Sequence, residues 1–340
     1  MDTQKNNSIS LDAIPANRRL IEELSAHQMI DDETREQGLE LLYPAKNWGL
    51  WVSRLLLILG VALILSGIIY FFAFNWAKIT PAMKLGSIQI AIFACLAVSY
   101  FYGLQRLSGK ILLLSAAVLV GVFLAVFGQI YQAGADAYNL FMMWALLILP
   151  WVTISEFAAL WIVWLVICNI FLVLYWDQAA FPASETEMMI CSYLALFNGL
   201  FLGLREYFST KSVSWLAGQW TRVVLVVPIL SYIFIPTLLF VDNPSHATFS
   251  IILGALLAVV IHIAFYILYR YKLPDMWGLA TTILSACIIL ESAIFKGITE
   301  VFDNSDAFAY LLMGCITLGI FTLAIIKLRV IANEMEEKHV

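Results

Sequence analysis

Ile111-Leu-Leu-Leu-Ser-Ala-Ala-Val-Leu-Val-Gly121-Val-Phe-Leu-Ala-Val-Phe-Gly128 is an eighteen-residue run without a charge, and it continues into Gln129-Ile-Tyr131-Gln132. A run of that length and apolarity is what a helix needs to cross the hydrocarbon core of a bilayer. Within it Ala117, Gly121, Ala125 and Gly128 fall four, four and three residues apart, so small side chains share one stripe. Such a stripe lets a neighbouring helix approach closely.

The rest of the chain repeats the pattern. Hydrophobic residues make up 62% of the 340 and charged residues only 13%, more apolar material than a soluble core of this length uses. Ten apolar segments are expected, near 50–72, 84–104, 111–130, 138–154, 157–176, 189–208, 221–241, 248–269, 276–295 and 308–328. The fourth is short for a span and contains Pro150, which allows a tilt, a kink or a partly re-entrant course. Pro228 and Pro236 mark kinks in the seventh.

With both tails cytoplasmic, Lys46, Arg54, Arg106, Lys110, Arg205, Lys211, Arg222, Arg270, Lys272, Lys327 and Arg329 lie inside, against Lys78, Lys84 and Lys296 outside. That asymmetry is the positive-inside bias, and removing one span would destroy it. Aromatic clusters such as Trp48 with Trp51, or Tyr70 to Trp76, read as interfacial belts. Between Arg205 and Arg222 basic residues mix with Tyr207, Phe208, Trp215 and Trp220, as in either an amphipathic segment on the inner leaflet or an ordinary basic loop.

The fold class is therefore all-α, a polytopic transmembrane bundle of about ten spans over 48–330, preceded by a small cytoplasmic helical region over 1–47 and followed by a cytoplasmic tail over 331–340. Residues 1–10 are polar and read as disordered. From Leu11 to Leu42 two short helices form a hairpin: Ile14, Leu20, Ile21 and Leu24 share a face of the first behind Pro15, and Asp31 or Asp32 caps the second. His27 reads as a solvated helix residue. No apolar leader core precedes residue 45, so the first span acts as its own insertion signal.

Polar residues gather at one place between spans. Gln129, Tyr131, Gln132, Asp136, Tyr138 and Asn139 follow the third segment, with Gly134 interrupting the helix. Unwound backbone at membrane depth is tolerated only inside protein or beside water. The stretch is then either a polar ligand pocket near the outer face or an ordered hairpin whose polar groups cap two helix ends. Glu291 lies toward the outer end of the ninth segment, a functional suspect that also has Lys296 within reach for pairing. Glu156 and Ser155 sit in a tight turn where they suit a helix cap, Arg54 opens the first span, and His262 reads as a buried, hydrogen-bonded residue.

Enzyme signatures are missing: no HExxH, GxSxG, Walker loop, GxGxxG or paired intramembrane aspartates occur. The expectation is a non-enzyme with no cofactor. Four scattered His give a metal little to bind, and the five Cys lie singly in apolar runs without CxxC spacing. A net charge of −5 implies no nucleic-acid partner. The similarity of Asp136-Ala-Tyr-Asn-Leu to Asp275-Met-Trp-Gly-Leu is too slight to establish an inverted repeat.

Gly128-Gln-Ile-Tyr-Gln-Ala-Gly-Ala-Asp-Ala-Tyr-Asn-Leu-Phe141, followed by Trp144-Ala-Leu-Leu-Ile-Leu-Pro-Trp151, resembles the hallmark of the bacterial membrane protein family DUF2157. The resemblance covers about residues 10–180 and includes the polar helical region before a basic, aromatic entry to the first span. It implies a bacterial inner-membrane protein and brings no catalytic residues. Two classes of function follow: transport or binding of a small molecule or ion through the bundle, or an envelope scaffold or sensor that holds partner membrane proteins. The bilayer is the one partner common to both.

Overall fold

The computed structural model describes residues 18–27, 29–42, scattered positions between 52 and 74, 76–132, 134, 136–180, 188–211, 213, 215, 216, 218–302 and 307–337. It is all-helical among those residues and divides into two units, 1–80 and 81–340.

In the first unit α1 (Arg18–Ala26) and α2 (Asp32–Leu42) are joined by a short turn. Of the two candidate caps Asp31 serves: its Oδ1 accepts from the Thr34 amide at 3.0 Å. The Thr34 side chain and amide hold the Asp31 carboxyl below its usual range. Ile21 lies against Gly38, 3.2 Å from where a Cβ would sit, so the two helices touch. Ile14, Pro15 and residues 1–10 lie outside the described residues, as does most of the expected first span, whose described positions between 52 and 74 are helical.

The second unit contains α3 (Pro81–Tyr102), α4 (Leu107–Tyr131), α5 (Ala137–Ile154), α6 (Ala158–Tyr175), α7 (Met189–Thr210), α8 (Gln219–Asp242), α9 (Phe249–Ile267), α10 (Met276–Val301) and α11 (Ala307–Glu337). Five-residue π-helical extensions prolong α6 to Ala180 and α9 to Lys272. Eight helices are long and apolar enough to cross a membrane among the described residues, every one of these except α7. Asn198, Arg205 and Glu206 lower the hydropathy of α7, which nevertheless has 22 residues.

Contacts between helix ends sort into two sets. At one end Lys110 Nζ donates to the Glu156 carbonyl (2.8 Å), Arg222 pairs with Asp275 (2.6 Å) and Arg270 pairs with Glu334. At the other, the Tyr138 ring meets Tyr175 and Lys296 pairs with Asp242 (3.1 Å). Successive helices therefore run up and down between a basic end and its opposite, α7 included.

Two clusters of buried side chains hold this unit together. One is built on α4, α5 and α6 around Ala117, Ile148, Val152 and Leu160; the other on α7 to α11 around Val226, Ile233, Tyr269 and Leu279. The small-residue stripe is used in the first. Trp144 lies over Gly121, with its Nε1 donating to the Ala117 carbonyl at 2.8 Å. Gly128, further along the stripe, has open space beside it. In the second, Pro236 fills the space over Gly254.

Between the clusters the seam is polar. Asn169 of α6 and Asn198 of α7 exchange side-chain amide hydrogen bonds of 3.2 and 2.6 Å, and the Tyr232 hydroxyl of α8 donates to Asn169 Oδ1 at 3.2 Å. Each Asn also donates to a carbonyl one turn back on its own helix, Leu165 or Leu194. Asn198→Leu removes both bonds of the exchange and leaves Asn169 with only the Leu165 carbonyl and the Tyr232 hydroxyl. A loss of about 1–2 kcal/mol is expected on thermal unfolding in detergent; an unchanged melting curve would mean the amide exchange contributes nothing to stability.

Candidate functional site

Around the polar stretch after α4 the described residues end one helix and begin the next. Gln132 closes the helix in a left-handed conformation (φ 44°), its N–H bonded to the Gly128 carbonyl, and Gly134 follows at φ 58°. Asp136 stands before α5 without a side-chain cap bond, and its carbonyl accepts from the Asn139 amide at 3.0 Å. Tyr138 packs edge-on against Tyr175, and its amide faces Gln178 Oε1 at 3.4 Å. Tyr131 packs on Phe127. Gln129, Tyr131, Gln132 and Asp136 are exposed, while Tyr138 and Asn139 are half-buried.

The other singled-out residues lie elsewhere. Glu291 on α10 is half-buried and accepts from the Thr317 hydroxyl of α11, while Lys296 pairs with Asp242. Asp136 and Glu291 thus belong to helix pairs packed in different core clusters. His262 bonds the Ala258 carbonyl through Nδ1 (2.8 Å) and Ser285 Oγ through Nε2 (3.1 Å). A carbonyl only accepts, so Nδ1 carries a proton, and in the neutral ring Nε2 then accepts from Ser285. Ser155 donates to the Val152 carbonyl rather than capping α6.

Sequence reasoning missed a buried group of charges at the basic end. Arg205 and Glu206, adjacent on α7, are 3% and 7% exposed and bond each other at 2.8 Å. Arg222 of α8 grips both Glu206 oxygens (2.7 and 2.9 Å) and reaches Asp275 Oδ2 at 2.6 Å. Asp275 uses its other oxygen to cap α10 through the Gly278 amide, 2.7 Å away. Arg205 also donates to Thr221 Oγ1 (3.1 Å) and to the Gly218 carbonyl (2.9 Å). Two cations meet two carboxylates, so the group is neutral as a whole. That balance keeps four buried charges tolerable. The 205–222 connection is accordingly tied into the bundle by its two arginines. An acid beside Arg205 was the only hint in the sequence.

Beside this group lies a concavity of about 560 Å³, walled by α6, α7, α8 and the 205–222 connection. A second, of about 300 Å³, continues along α6 and α8 toward the Asn169–Asn198–Tyr232 seam. Ile162, Leu165 and Leu225 line both. Val166, Ile170 and Val224 are substantially exposed, so the trough opens sideways on the bundle surface. Both walls are predominantly apolar, with polarity confined to the two ends.

At the wider end stand Thr153, Glu156, Trp161 and Arg205. Glu156 has φ 44°, a left-handed backbone uncommon outside glycine, and its carbonyl is held by Lys110. Trp161 stacks on Trp215 at 6.3 Å, and its indole Nε1 is buried without a hydrogen-bond partner among the described residues.

Residues 17–161 match the family model described as predicted membrane protein, DUF2157. The matched segment takes in residues 128–141 and ends at Trp161, so it supplies one wall of the wider cavity's mouth. The walls from α7 and α8 lie beyond it. No curated protein and no solved structure matches the chain.

Proposed function

We propose that this membrane protein is a non-enzymatic binder of a long-chain small molecule, held at the α6–α8 seam. The observation that carries the reading is the pair of apolar cavities sharing Ile162, Leu165 and Leu225, closed at one end by a charged and aromatic mouth. Their volumes of about 560 and 300 Å³ fall in the range of small-molecule sites. In this reading the chain crosses a bacterial inner membrane ten times with both termini cytoplasmic, α7 and the 50–72 segment being the two additional spans. The basic residues at the α6–α8 mouth support that orientation, because they then face the cytoplasm. The ligand enters sideways from the lipid, through the open flank beside Val166 and Val224.

Ile162 is half-buried and lines both cavities, which makes Ile162→Trp a plug that the fold can carry. Native mass spectrometry of the purified full chain, washed extensively in detergent, is expected to show one retained lipid-sized adduct. Ile162→Trp should lower its occupancy at least tenfold at an unchanged melting temperature. Val224→Trp, which blocks only the narrower cavity, should give a partial loss. Equal retention by all three proteins would overturn the reading.

A further inference from the structure

We infer, resting on the cavity reading above, that the occupant carries an uncharged hydroxyl, which donates to the backbone carbonyl that Pro228 leaves open in the narrower cavity. Pro228 lies inside α8 and has no N–H, so the Val224 carbonyl loses the donor that an α-helix supplies four residues on. No side chain donates to that carbonyl among the described residues. A helix carbonyl points at the nitrogen four residues further along, so this oxygen lies between Val224 and Pro228. Both residues line the narrower cavity, and Val224 is 40% exposed. The open acceptor therefore stands on the cavity wall.

The polar side chains of that wall, Asn169, Asn198 and Tyr232, select a donor as well. Asn169 uses both amide hydrogens, on the Leu165 carbonyl and Asn198 Oδ1. Asn198 uses both of its own, on the Leu194 carbonyl and Asn169 Oδ1, and the Tyr232 hydroxyl hydrogen also goes to Asn169 Oδ1. Only lone pairs are left over, on Asn198 Oδ1 and the Tyr232 oxygen. A ketone, an ether or an ester finds no partner here, whereas an O–H does. A neutral amide would bring a carbonyl of its own, for which this wall has no donor. Depth and charge exclude an ammonium. Pro228 is the tenth of the 24 residues of α8, roughly 14 Å of rise from its start, and no carboxylate lines the narrower cavity among the described residues. A cation without a counter-ion is costly at that level. Isoprenoid alcohols and hydroquinones both carry a neutral hydroxyl on an apolar skeleton.

The test uses the full-length protein in detergent and two pairs of probes: geranylgeraniol with its methyl ether, and menaquinone in its reduced and oxidised forms. Methylation keeps the oxygen and the chain and removes only the donor; oxidation of the quinol does the same. Wild type is expected to bind the hydroxylated member of at least one pair roughly three- to tenfold more tightly than its partner. A preference confined to the first pair identifies an isoprenoid alcohol, and one confined to the second identifies a hydroquinone. Pro228→Ala restores the N–H that the Val224 carbonyl lacks, so it should erase the preference by weakening the hydroxylated probe alone. Its melting temperature should be unchanged or higher. If Pro228→Ala leaves the preference intact, or weakens both members of a pair alike, the carbonyl assignment is overturned. Equal binding within both pairs by wild type overturns the hydroxyl inference; if Ile162→Trp still releases the probes, the cavity reading stands. Failure of every probe to bind wild type also overturns the hydroxyl inference, and the retained adduct in native mass spectrometry then decides the cavity reading separately.

Discussion

Arg222→Met should be among the most damaging single substitutions in the bundle, lowering stability by about 3–5 kcal/mol. The side chain is 12% exposed and lies between two carboxylates, bidentate to Glu206 and bonded to Asp275. Removing it leaves Arg205 as the only cation against two buried acids. Uncompensated charge is more costly than the original pairing is favourable, because desolvation of the acids is already complete. A second substitution follows from the arithmetic of the group. Asp275→Asn added to Arg222→Met leaves one cation and one carboxylate, Arg205 and Glu206, still bonded at 2.8 Å. Asparagine also keeps an oxygen with which to cap the Gly278 amide. The double variant should therefore recover about 1–3 kcal/mol relative to Arg222→Met, a coupling that independent sites would not show. Thermal melting of the purified proteins reads both effects. A melting temperature unmoved by Arg222→Met, or a double variant less stable than the single, would refute the balanced-charge account.

The same group shows where the sequence stops being legible. Apolar runs locate helices well: the 111–130 segment lies within Leu107–Tyr131, and 276–295 within Met276–Val301. They underestimate helices with amphipathic ends. The last run stops near 328, yet α11 continues to Glu337, carrying Glu334 onto Arg270. Hydropathy reports where lipid lies, whereas backbone hydrogen bonding continues past it. The candidate site is harder. A string such as Gln129, Gln132 and Asp136 announces polarity between spans, but capping a turn and lining a pocket use the same residue types. Arg205 and Arg222 read as part of either an amphipathic segment or a basic loop because Asp275, which completes the charge balance, comes 53 residues after Arg222 and is brought in only by tertiary packing. Trp161 has no sequence signal at all: a tryptophan near a helix end is ordinary in a membrane protein, and only the structure shows that its N–H lacks an acceptor.

Gly121→Val is the second large effect expected, at about 3 kcal/mol of destabilisation. A Cβ at Gly121 would lie 2.4 Å from the Trp144 indole, far inside any allowed contact. The indole has little freedom to withdraw, because its Nε1 is bonded to the Ala117 carbonyl one turn earlier on the same helix as Gly121. Moving the ring to admit a side chain breaks that bond and opens the α4–α5 interface, adding about 1 kcal/mol to the packing cost. Gly128→Ala is the matched control. It sits on the same stripe, with nothing within 4 Å of the position its Cβ would take. There the gain in helix propensity is unopposed, so the variant should be neutral or more stable by up to about 1 kcal/mol. Trp144→Phe, with a smaller ring and no N–H to lose, should restore part of the stability of Gly121→Val while costing something on its own. If both glycines tolerate substitution equally, the stripe acts only as a smooth lipid-facing surface and Trp144 is not the knob that fills it. If only Gly121 is sensitive, the close approach of α4 and α5 depends on that one missing side chain.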